Sequence, residues 1–241
     1  VAFFAYPNKP GVLTQESTKF FELANVSDNI TNVIEELSER VGISTDAPST
    51  ISKLNIPDIP KGAINPTTLG MVLGALIPEN AIVVDESVTT GREFFYQTAG
   101  SHPHTWLNNC GGSIGFGMPV AIGAAISCPD RKVISLEGDG SAMYTVQSLW
   151  TMARENLDIV VLIFANQSYK ILQGELTNVG VVNPGKSAME MLSLQDPSLD
   201  WVSLSKGMGV DAVRVDNLED LVKSFKNGLK ETGPFLIEVM I

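Results

Sequence analysis

The feature that most constrains the fold of this chain is a Gly-Asp-Gly-Ser segment at 138–141, which directly follows a strand-like run at 132–137. A second apolar run, at 159–164, ends just before Asn166. Continuous apolar strands are typical of a parallel sheet that is covered on both faces, and such sheets bind ligands beyond the carboxyl ends of their strands. The sequence therefore predicts that Asp139 and Asn166 meet at one edge of a parallel sheet.

These two side chains suit a divalent cation that bridges to a diphosphate. A carboxylate and an amide carbonyl are hard oxygen ligands, and the free amides at a helix start favour phosphate. Glycines on both sides of Asp139 let the backbone approach a ligand closely. Asp139 as a simple helix cap is the alternative interpretation, and its pairing with Asn166 favours the ligand.

The rest of the chain alternates strand and helix patterns. Apolar runs predict strands at 81–84, 132–136, 159–164, 210–215 and 235–240. Helical periodicity predicts helices at 28–41, 67–76, 91–97, 119–127, 144–155 and 218–230. Asp28 or Thr31 would cap the first helix. The pattern predicts an α/β fold, with an open parallel sheet and helices on both of its faces.

Composition excludes several classes of protein. A net charge of −11 argues against a nucleic-acid partner. No apolar run reaches the roughly 18 residues of a membrane span, and without a visible signal peptide the cytoplasm is the expected location. Two cysteines, Cys110 and Cys128, form neither a metal-binding spacing nor a disulfide framework. Cys110 either lines the site or, as we favour, is a small buried hydrophobe.

Together with a Gly-rich stretch at 111–119 (GGSIGFGMP), the Gly-Asp-Gly and Asn166 pair resembles the pyrophosphate-binding domain of thiamine-diphosphate-dependent enzymes. The similarity covers roughly residues 62–241 and is strongest to benzoylformate decarboxylases and to chains labelled acetolactate synthase large subunit. It implies thiamine diphosphate and Mg²⁺ as cofactors, and an enzyme that decarboxylates a 2-oxo acid. The product is then an aldehyde, or the reacting fragment adds to a second carbonyl compound.

The resemblance also assigns roles to individual residues. It implies that Mg²⁺ is held by Asp139, Asn166 and the main-chain carbonyl of Ser168. The diphosphate would bind to the segment that follows the strand predicted at 132–136 and to a second segment near residue 88. The residues concerned are Gly138, Gly140, Ser141, Ala142, Val88 (main chain) and Thr89 (hydroxyl). A Ser/Thr run after a strand is also a common helix cap, which is the alternative for residue 89.

Two residues of the Gly-rich stretch would contact the pyrimidine ring of the cofactor. The carbonyl of Gly112 would accept from the 4′-amino group, and Ile114 would be the wedge under the bend between the two rings. A core isoleucine is the alternative interpretation of Ile114. His102 and His104 are candidate acid–base groups, but a solvated loop pair is favoured. Glu175 is expected near the substrate pocket, without a catalytic role.

The resemblance divides the chain into three parts: a remnant of the family's central domain at 1–27, a helix and linker at 28–63, and the pyrophosphate-binding domain at 64–241. Pro48, Pro57 and Pro60 support the linker. The chain begins at Val1 rather than Met, which favours a fragment. Because the flavin of acetolactate synthases sits mainly on the central domain, these residues do not bear on FAD.

A complete enzyme of this kind is roughly twice as long, and its N-terminal domain supplies a glutamate to the pyrimidine ring. The expected partners are therefore a pyrimidine-binding domain of the same or a neighbouring subunit and a 2-oxo acid, in a homo-oligomer. Without that domain we expect self-association through Ile114, Phe116, Met118 and Ile171, or a mobile segment at 168–190.

Other functions stay open at the level of the sequence. One is a cofactor-binding module that is inactive alone. A plain nucleotide-binding domain is disfavoured, because there is no GxGxxG after the first strand and no Walker lysine. The stretch Ser168-Tyr-Lys-Ile-Leu-Gln173 departs from biosynthetic acetolactate synthases, and residues 138–153 look more like a benzoylformate decarboxylase.

Overall fold

The computed structural model describes residues 21, 23–25, 27–42, 51–109 and 111–241. The chain forms two compact units, Val1–Ile51 and Ser52–Ile241. Most of the predicted central-domain remnant, Pro48 of the predicted linker, and Cys110 lie outside the described residues.

The first unit contains one described helix, α1 (Ile30–Val41). The Asn29 side chain caps it by accepting hydrogen bonds from the amides of Thr31 and Asn32. The predicted caps, Asp28 and Thr31, were therefore wrong. Asp28 instead accepts from the Asn25 amide (2.7 Å).

The second unit contains a six-stranded parallel sheet in the order β2-β1-β3-β4-β6-β5. Its strands are β1 (Ile82–Glu86), β2 (Thr105–Asn108), β3 (Val133–Gly138), β4 (Ile159–Ala165), β5 (Asp211–Val215) and β6 (Phe235–Met240). The predicted α/β fold is confirmed, and all five predicted strands are present. The sixth strand, β2, was not predicted.

Helices connect the strands of this unit. They are α2 (Pro66–Leu76), α3 (Phe94–Gln97), α4 (Gly117–Ser127), α5 (Asp139–Ala142), α6 (Ser148–Arg154), α7 (Lys170–Asn178), α8 (Lys186–Met191), α9 (Trp201–Gly207) and α10 (Leu218–Lys230). Residues 143–145 form a 3₁₀ turn. The predicted helix at 144–155 was therefore wrong in extent, because helical structure begins at Asp139 and is interrupted before α6.

The two faces of the sheet carry separate layers of the core. On one face Val83, Ile134 and Leu162 pack with α2 and α10. On the other face Val84 and Val161 pack with α4, α6 and α9. Successive residues of each strand thus serve opposite layers, as the pleat requires. This double coverage explains why the central strands are mostly apolar on both faces.

Candidate functional site

The sheet brings Asp139 and the loop of Asn166 together at its carboxyl edge. Strands β3 and β4 are neighbours, with Gly138 in register with Phe164, so the residues that follow each strand emerge side by side. The Asp139 Oδ2 accepts a hydrogen bond from the Gln167 amide (2.6 Å), and Oδ1 accepts from the Gly140 amide (2.9 Å). Asp139 is therefore tied directly to the loop that carries the other predicted metal ligands.

Burial dominates the electrostatics of Asp139. The residue is 3% exposed, and loss of water raises the pKa of its carboxyl to about 6, although the amide hydrogen bonds act in the opposite direction. Among the described residues, no lysine, arginine or histidine forms an ion pair with it. A buried carboxylate without a positive partner is costly, and a bound cation would supply that partner.

Asn166 and Ser168 form a tight turn beyond β4. The Asn166 Oδ1 accepts from the Ser168 amide and hydroxyl, both at 3.0 Å, and Gln167 between them has a left-handed backbone (φ 55°). An amide oxygen has two lone pairs, and both are used here. Coordination of a cation by Asn166 would therefore require the Ser168 hydroxyl to turn away.

The oxygen ligands available around Asp139, Asn166 and Ser168 suit a hard cation rather than a transition metal. In the described part of the chain, no group of three or more His, Cys, Asp or Glu side chains is placed to hold a metal. A cation at Asp139 would thus depend on one carboxylate, amide and main-chain oxygens, and oxygens of a ligand. Mg²⁺ typically binds to proteins in this way, through one or two carboxylates together with phosphate oxygens.

The segment 138–142 is closely fitted to its neighbours. The Ser141 hydroxyl donates to the carbonyls of Gly138 (3.0 Å) and Glu86 (3.2 Å). A Cβ at Gly140 would lie 2.8 Å from the ring of Tyr169, so only glycine fits there. The structure thus gives a steric reason for the second glycine of the Gly-Asp-Gly segment.

The segment after β1 carries the second group of predicted ligands. Strand β1 runs through Glu86, two residues further than the sequence predicted. Asp85, whose pKa is raised by burial, accepts from the Ser87 amide (3.0 Å) and hydroxyl (2.5 Å). Val88 has a left-handed backbone (φ 51°), which is strained for a β-branched residue and often marks a functional segment. Thr89 is half-buried.

The Gly-rich stretch forms a turn whose shape is held from three sides. The Asn109 side chain bonds the Ser113 amide and carbonyl, both at 3.0 Å. The Thr145 hydroxyl donates to the Gly115 carbonyl (3.0 Å). The Glu86 carboxylate accepts from the amides of Gly115 (2.6 Å) and Gly117 (2.8 Å).

The turn presents its predicted ligand residues to solvent. Ile114 is 43% exposed, so it is not a core isoleucine, and Gly112 is exposed with φ 71°. Four apolar residues were expected at the surface here. The expectation was wrong for Met118, which is fully buried in the core. Phe116 and Ile171 are half-buried.

A second buried glutamate lies beside Glu86. Glu137 is its register partner across β1 and β3, and it accepts from the Ser135 hydroxyl (2.5 Å). Burial raises the pKa of Glu137 well above its usual value. Glu86, by contrast, accepts hydrogen bonds from two main-chain amides. Sequence reasoning missed both residues, although a glutamate inside an apolar strand run was the available signal.

A cleft of about 470 Å³ opens beside this turn and brings together Val88, Gly112 and Ile114. Phe95 and Tyr96 supply aromatic walls. The cleft lies at the carboxyl ends of β1 and β2, where an open parallel sheet binds its ligands.

Three other candidates lie elsewhere. His104 directly precedes β2 and lines a different cavity at the amino ends of the strands, with Asn80 and Arg131. Its Nδ1 lies 2.7 Å from the His102 carbonyl. His104 thus lies at the opposite edge of the sheet from Asp139 and the Gly-rich turn. Glu175 lies exposed on α7 and accepts from the Asn178 side chain (3.1 Å).

The family model that describes the C-terminal TPP-binding domain of thiamine pyrophosphate enzymes matches residues 91–239. The chain belongs to this family. It is 41% identical, over its whole length, to a Mycobacterium tuberculosis protein provisionally named acetolactate synthase large subunit IlvX, of which it covers 46%. It is 34% identical over 179 residues to benzoylformate decarboxylase from Pseudomonas aeruginosa, covering 74% of this chain and 32% of that protein.

A solved structure supports the same relationship. The thiamine diphosphate-dependent 4-hydroxybenzoylformate decarboxylase of Rhodococcus jostii RHA1 superposes with a TM-score of 0.72 at 32% identity, covering 87% of this chain and 38% of that one. The chain thus spans less than half the length of these relatives. Within the described residues, no helix has both the length and the apolar character needed to cross a bilayer.

Proposed function

We propose that the carboxyl edge of this sheet binds Mg²⁺ and the diphosphate of thiamine diphosphate, as part of an enzyme that acts on a 2-oxo acid. The observation that carries the proposal is the buried Asp139 carboxylate, which is bonded to the Asn166 loop and forms no ion pair among the described residues. In this proposal Asp139, Asn166 and the Ser168 carbonyl hold the cation.

The remaining contacts of the diphosphate follow from the same edge. The amides of Ser141 and Ala142 at the start of α5 face one end of it, and Gly138 and Gly140 let the backbone approach it closely. The main chain of Val88 and the hydroxyl of Thr89 hold the other end. The pairing of these two segments is supported by the Ser141 hydroxyl, which bonds to the carbonyl of Glu86 (3.2 Å).

The cofactor, when bound, supplies the carbanion chemistry that 2-oxo acid decarboxylation needs. The chain's own contribution is to orient it. The carbonyl of Gly112 accepts from the 4′-amino group, and Ile114 supports the bend between the rings. The aromatic side chains of Phe95 and Tyr96 line the same cleft and offer apolar surface to the rings.

Two fates of the substrate fit this family. An acetolactate synthase-like enzyme joins the decarboxylated fragment to a second 2-oxo acid, whereas a benzoylformate decarboxylase-like enzyme protonates it to an aldehyde. The 34% identity to a benzoylformate decarboxylase supports the second alternative, and the 41% identity to a chain named as a synthase subunit supports the first. A cofactor-binding module that is inactive alone is the alternative from another class.

Calorimetry tests the binding step. Thiamine diphosphate titrated into the chain with Mg²⁺ should bind, and the same titration in EDTA should give no heat of binding. Thiamine without its diphosphate serves as the ligand control and should not bind in either condition. Equal binding with and without Mg²⁺ would contradict the proposed metal site.

A second experiment separates the enzyme from the module. The 241-residue chain alone should release no carbon dioxide from pyruvate or benzoylformate, because proton-transfer groups contribute about 10²–10⁴ in rate and the pyrimidine glutamate of the family is outside these residues. Co-expression with a pyrimidine-binding domain should restore turnover if the chain is half of an enzyme. Turnover by the chain alone, or none with that domain, would contradict this part of the proposal.

A further inference from the structure

Glu86 connects the two halves of the candidate site. Its main-chain carbonyl accepts from the Ser141 hydroxyl (3.2 Å), in the segment proposed to bind the diphosphate. Its carboxylate accepts from the amides of Gly115 (2.6 Å) and Gly117 (2.8 Å), in the turn proposed to hold the rings. One residue at the end of β1 thus fixes the position of both segments.

The two carboxylate bonds are well placed to determine the shape of the turn. Oε1 accepts from the Gly115 amide and Oε2 from the Gly117 amide. The orientation of the carboxylate group therefore constrains the position of both ends of the 115–117 segment. Hydrogen bonds to an ionised acceptor are roughly twice as strong as neutral ones. Ile114 directly precedes the first of these amides, and its orientation therefore depends on them.

The neighbouring glutamate leaves this turn little room to shift. A Cβ at Gly117 would lie 2.3 Å from a carboxyl oxygen of Glu137. The turn therefore rests against Glu137 on one side and is held by Glu86 on the other. Gly117 has no side chain to interfere with this close approach.

We propose that Glu86 is a positioning residue for the cofactor, because its carboxylate holds the 111–117 turn in the shape that presents Gly112 and Ile114 to the rings. This inference rests on the proposed function and deepens it. It assigns to Glu86 no contact with substrate or cofactor. Its effect is on ring binding, while the diphosphate end of the site stays intact.

The chain offers a matched control in Glu238. This glutamate is also buried (1% exposed), also lies within a strand of the same sheet, and also accepts a hydrogen bond, from Arg214 Nε (2.8 Å). It has no bond to the 111–117 turn. A merely structural role for Glu86 predicts that Glu86→Gln and Glu238→Gln have the same kind of effect.

The first measurement is made on the unmodified chain by ¹⁵N nuclear magnetic resonance. The amide protons of Gly115 and Gly117 should resonate far downfield and exchange slowly with solvent, whereas those of the exposed Gly111 and Gly112 should exchange fast. Fast exchange at both Gly115 and Gly117 would overturn the inference without any variant being needed.

The second measurement uses Glu86→Gln. The Gln side chain keeps one acceptor oxygen but turns an NH₂ group toward the second amide, so one charge-assisted bond is lost. We expect upfield shifts for Gly115 and Gly117 and faster exchange by about tenfold, with altered signals at Gly112 and Ile114. Glu238→Gln should leave all four signals in place. Unchanged turn signals in Glu86→Gln would overturn the inference.

The last measurement compares two ligands, thiamine diphosphate and inorganic diphosphate, each with Mg²⁺. Glu86→Gln should weaken thiamine diphosphate binding about tenfold, since one charge-assisted bond is lost, and leave inorganic diphosphate binding unchanged. Equal losses for both ligands would overturn the positioning role. If the unmodified chain binds neither ligand, the proposed function fails, and with it the role toward the cofactor. The amide signals then still decide whether Glu86 holds the turn.

Discussion

The amino and carboxyl edges of the sheet differ in whether their charged side chains form ion pairs. At the amino edge Lys132 pairs with Asp158 and also donates to the carbonyls of Gly228 (3.1 Å) and Glu231 (2.7 Å). Arg131 at the same edge donates to the Asn80 carbonyl (2.6 Å). Lys132, Asp158 and Arg131 at this edge are therefore matched by partners within the fold.

At the carboxyl edge, near the ends of β1 and β3, burial raises the pKa of three carboxyls. These are Asp85, Glu137 and Asp139. Among the described residues, none of them, nor Glu86, forms an ion pair. The contrast teaches that the amino edge serves the fold, whereas the carboxyl edge carries electrostatic cost that a bound cation would relieve. Unfavourable arrangements of this kind cluster at functional sites.

The largest effect is expected from alanine substitutions of two aspartates, Asp139 at the carboxyl edge and Asp158 at the amino edge. Asp139→Ala should weaken Mg²⁺-dependent thiamine diphosphate binding by more than about 100-fold, because a metal ligand contributes more than the supporting groups around it. The melting temperature should fall by less than in the matched variant, because removing a buried carboxyl that forms no described ion pair offsets part of the loss of its hydrogen bonds from the Gly140 and Gln167 amides. Calorimetry and thermal unfolding measure the two quantities.

Asp158→Ala is the matched variant and should show the opposite pattern. It leaves the Lys132 ammonium, whose side chain is 10% exposed, without its carboxylate. Loss of one partner of such a bond costs about 1–3 kcal/mol of unfolding free energy, while cofactor binding should be unchanged. The comparison of the edges breaks down if Asp139→Ala destabilises the fold as much as Asp158→Ala does.

Two glycines of helix α4 give the next effect. A Cβ at Gly117 would meet the Glu137 carboxyl at 2.3 Å, whereas one at Gly123 would meet nothing within 4 Å. Gly117→Ala should therefore destabilise the chain by about 1–3 kcal/mol through overpacking. Gly123→Ala should stabilise it by about 0.5–1 kcal/mol, because alanine is the better helix former. Chemical denaturation of both variants measures this, and equal effects would show that the turn is not tightly packed against Glu137.

The raised pKa of Asp139 predicts a pH dependence. With that pKa at about 6, protons compete with Mg²⁺ below pH 6, and cofactor affinity should fall by about tenfold per pH unit there. The effect on stability has the opposite sign. Because the folded pKa lies above the unfolded value of 3.8, this group's contribution is fully present below pH 3.8 and is lost as pH rises through about 6.

Calorimetry between pH 5 and pH 8 measures the binding effect, and thermal unfolding from below pH 3.8 to above about pH 6 measures the stability effect. Asp139→Asn is the control, since it cannot titrate and should lose its share of the stability change. Mg²⁺-dependent binding that is as strong at pH 5 as at pH 7 would contradict the assignment of Asp139 as a ligand.

Local pattern was enough to predict most of the sheet and the proximity of Asp139 to the Asn166 loop. The runs at 132–136 and 159–164 lie in fully buried strands, so their apolar character is continuous and easily recognised. The placement of Asp139 beside the Asn166 loop follows from strand adjacency alone. The helix at 218–230 was predicted with its observed bounds because one face is apolar and Asn217 caps it.

What the sequence could not reveal depends on contacts between distant residues. Glu86 is a carboxylate acceptor only because the turn at 115–117, about thirty positions later, folds onto it. Strand β2 is a four-residue edge strand, too short for its alternation to stand out. The N-cap residue of α1 was predicted wrongly because Asn29, Asp28 and Thr31 are all good caps in isolation. Only the local backbone geometry distinguishes them.

The smallest effect concerns association through the carboxyl edge. Phe95 (51% exposed), Tyr96 (71%) and Ile114 (43%) line one cleft there, and exposed apolar groups that lie together favour association. Changing Phe95 and Tyr96 to serine should weaken self-association of the chain by about fivefold, because most interface side chains contribute about 1 kcal/mol or less. Ile126→Ser is the control, since this residue is also exposed (60%) but ends α4 at the amino edge. Sedimentation over a range of protein concentrations measures the dissociation constants. An equal effect of Ile126→Ser would mean that the carboxyl edge is not the associating surface.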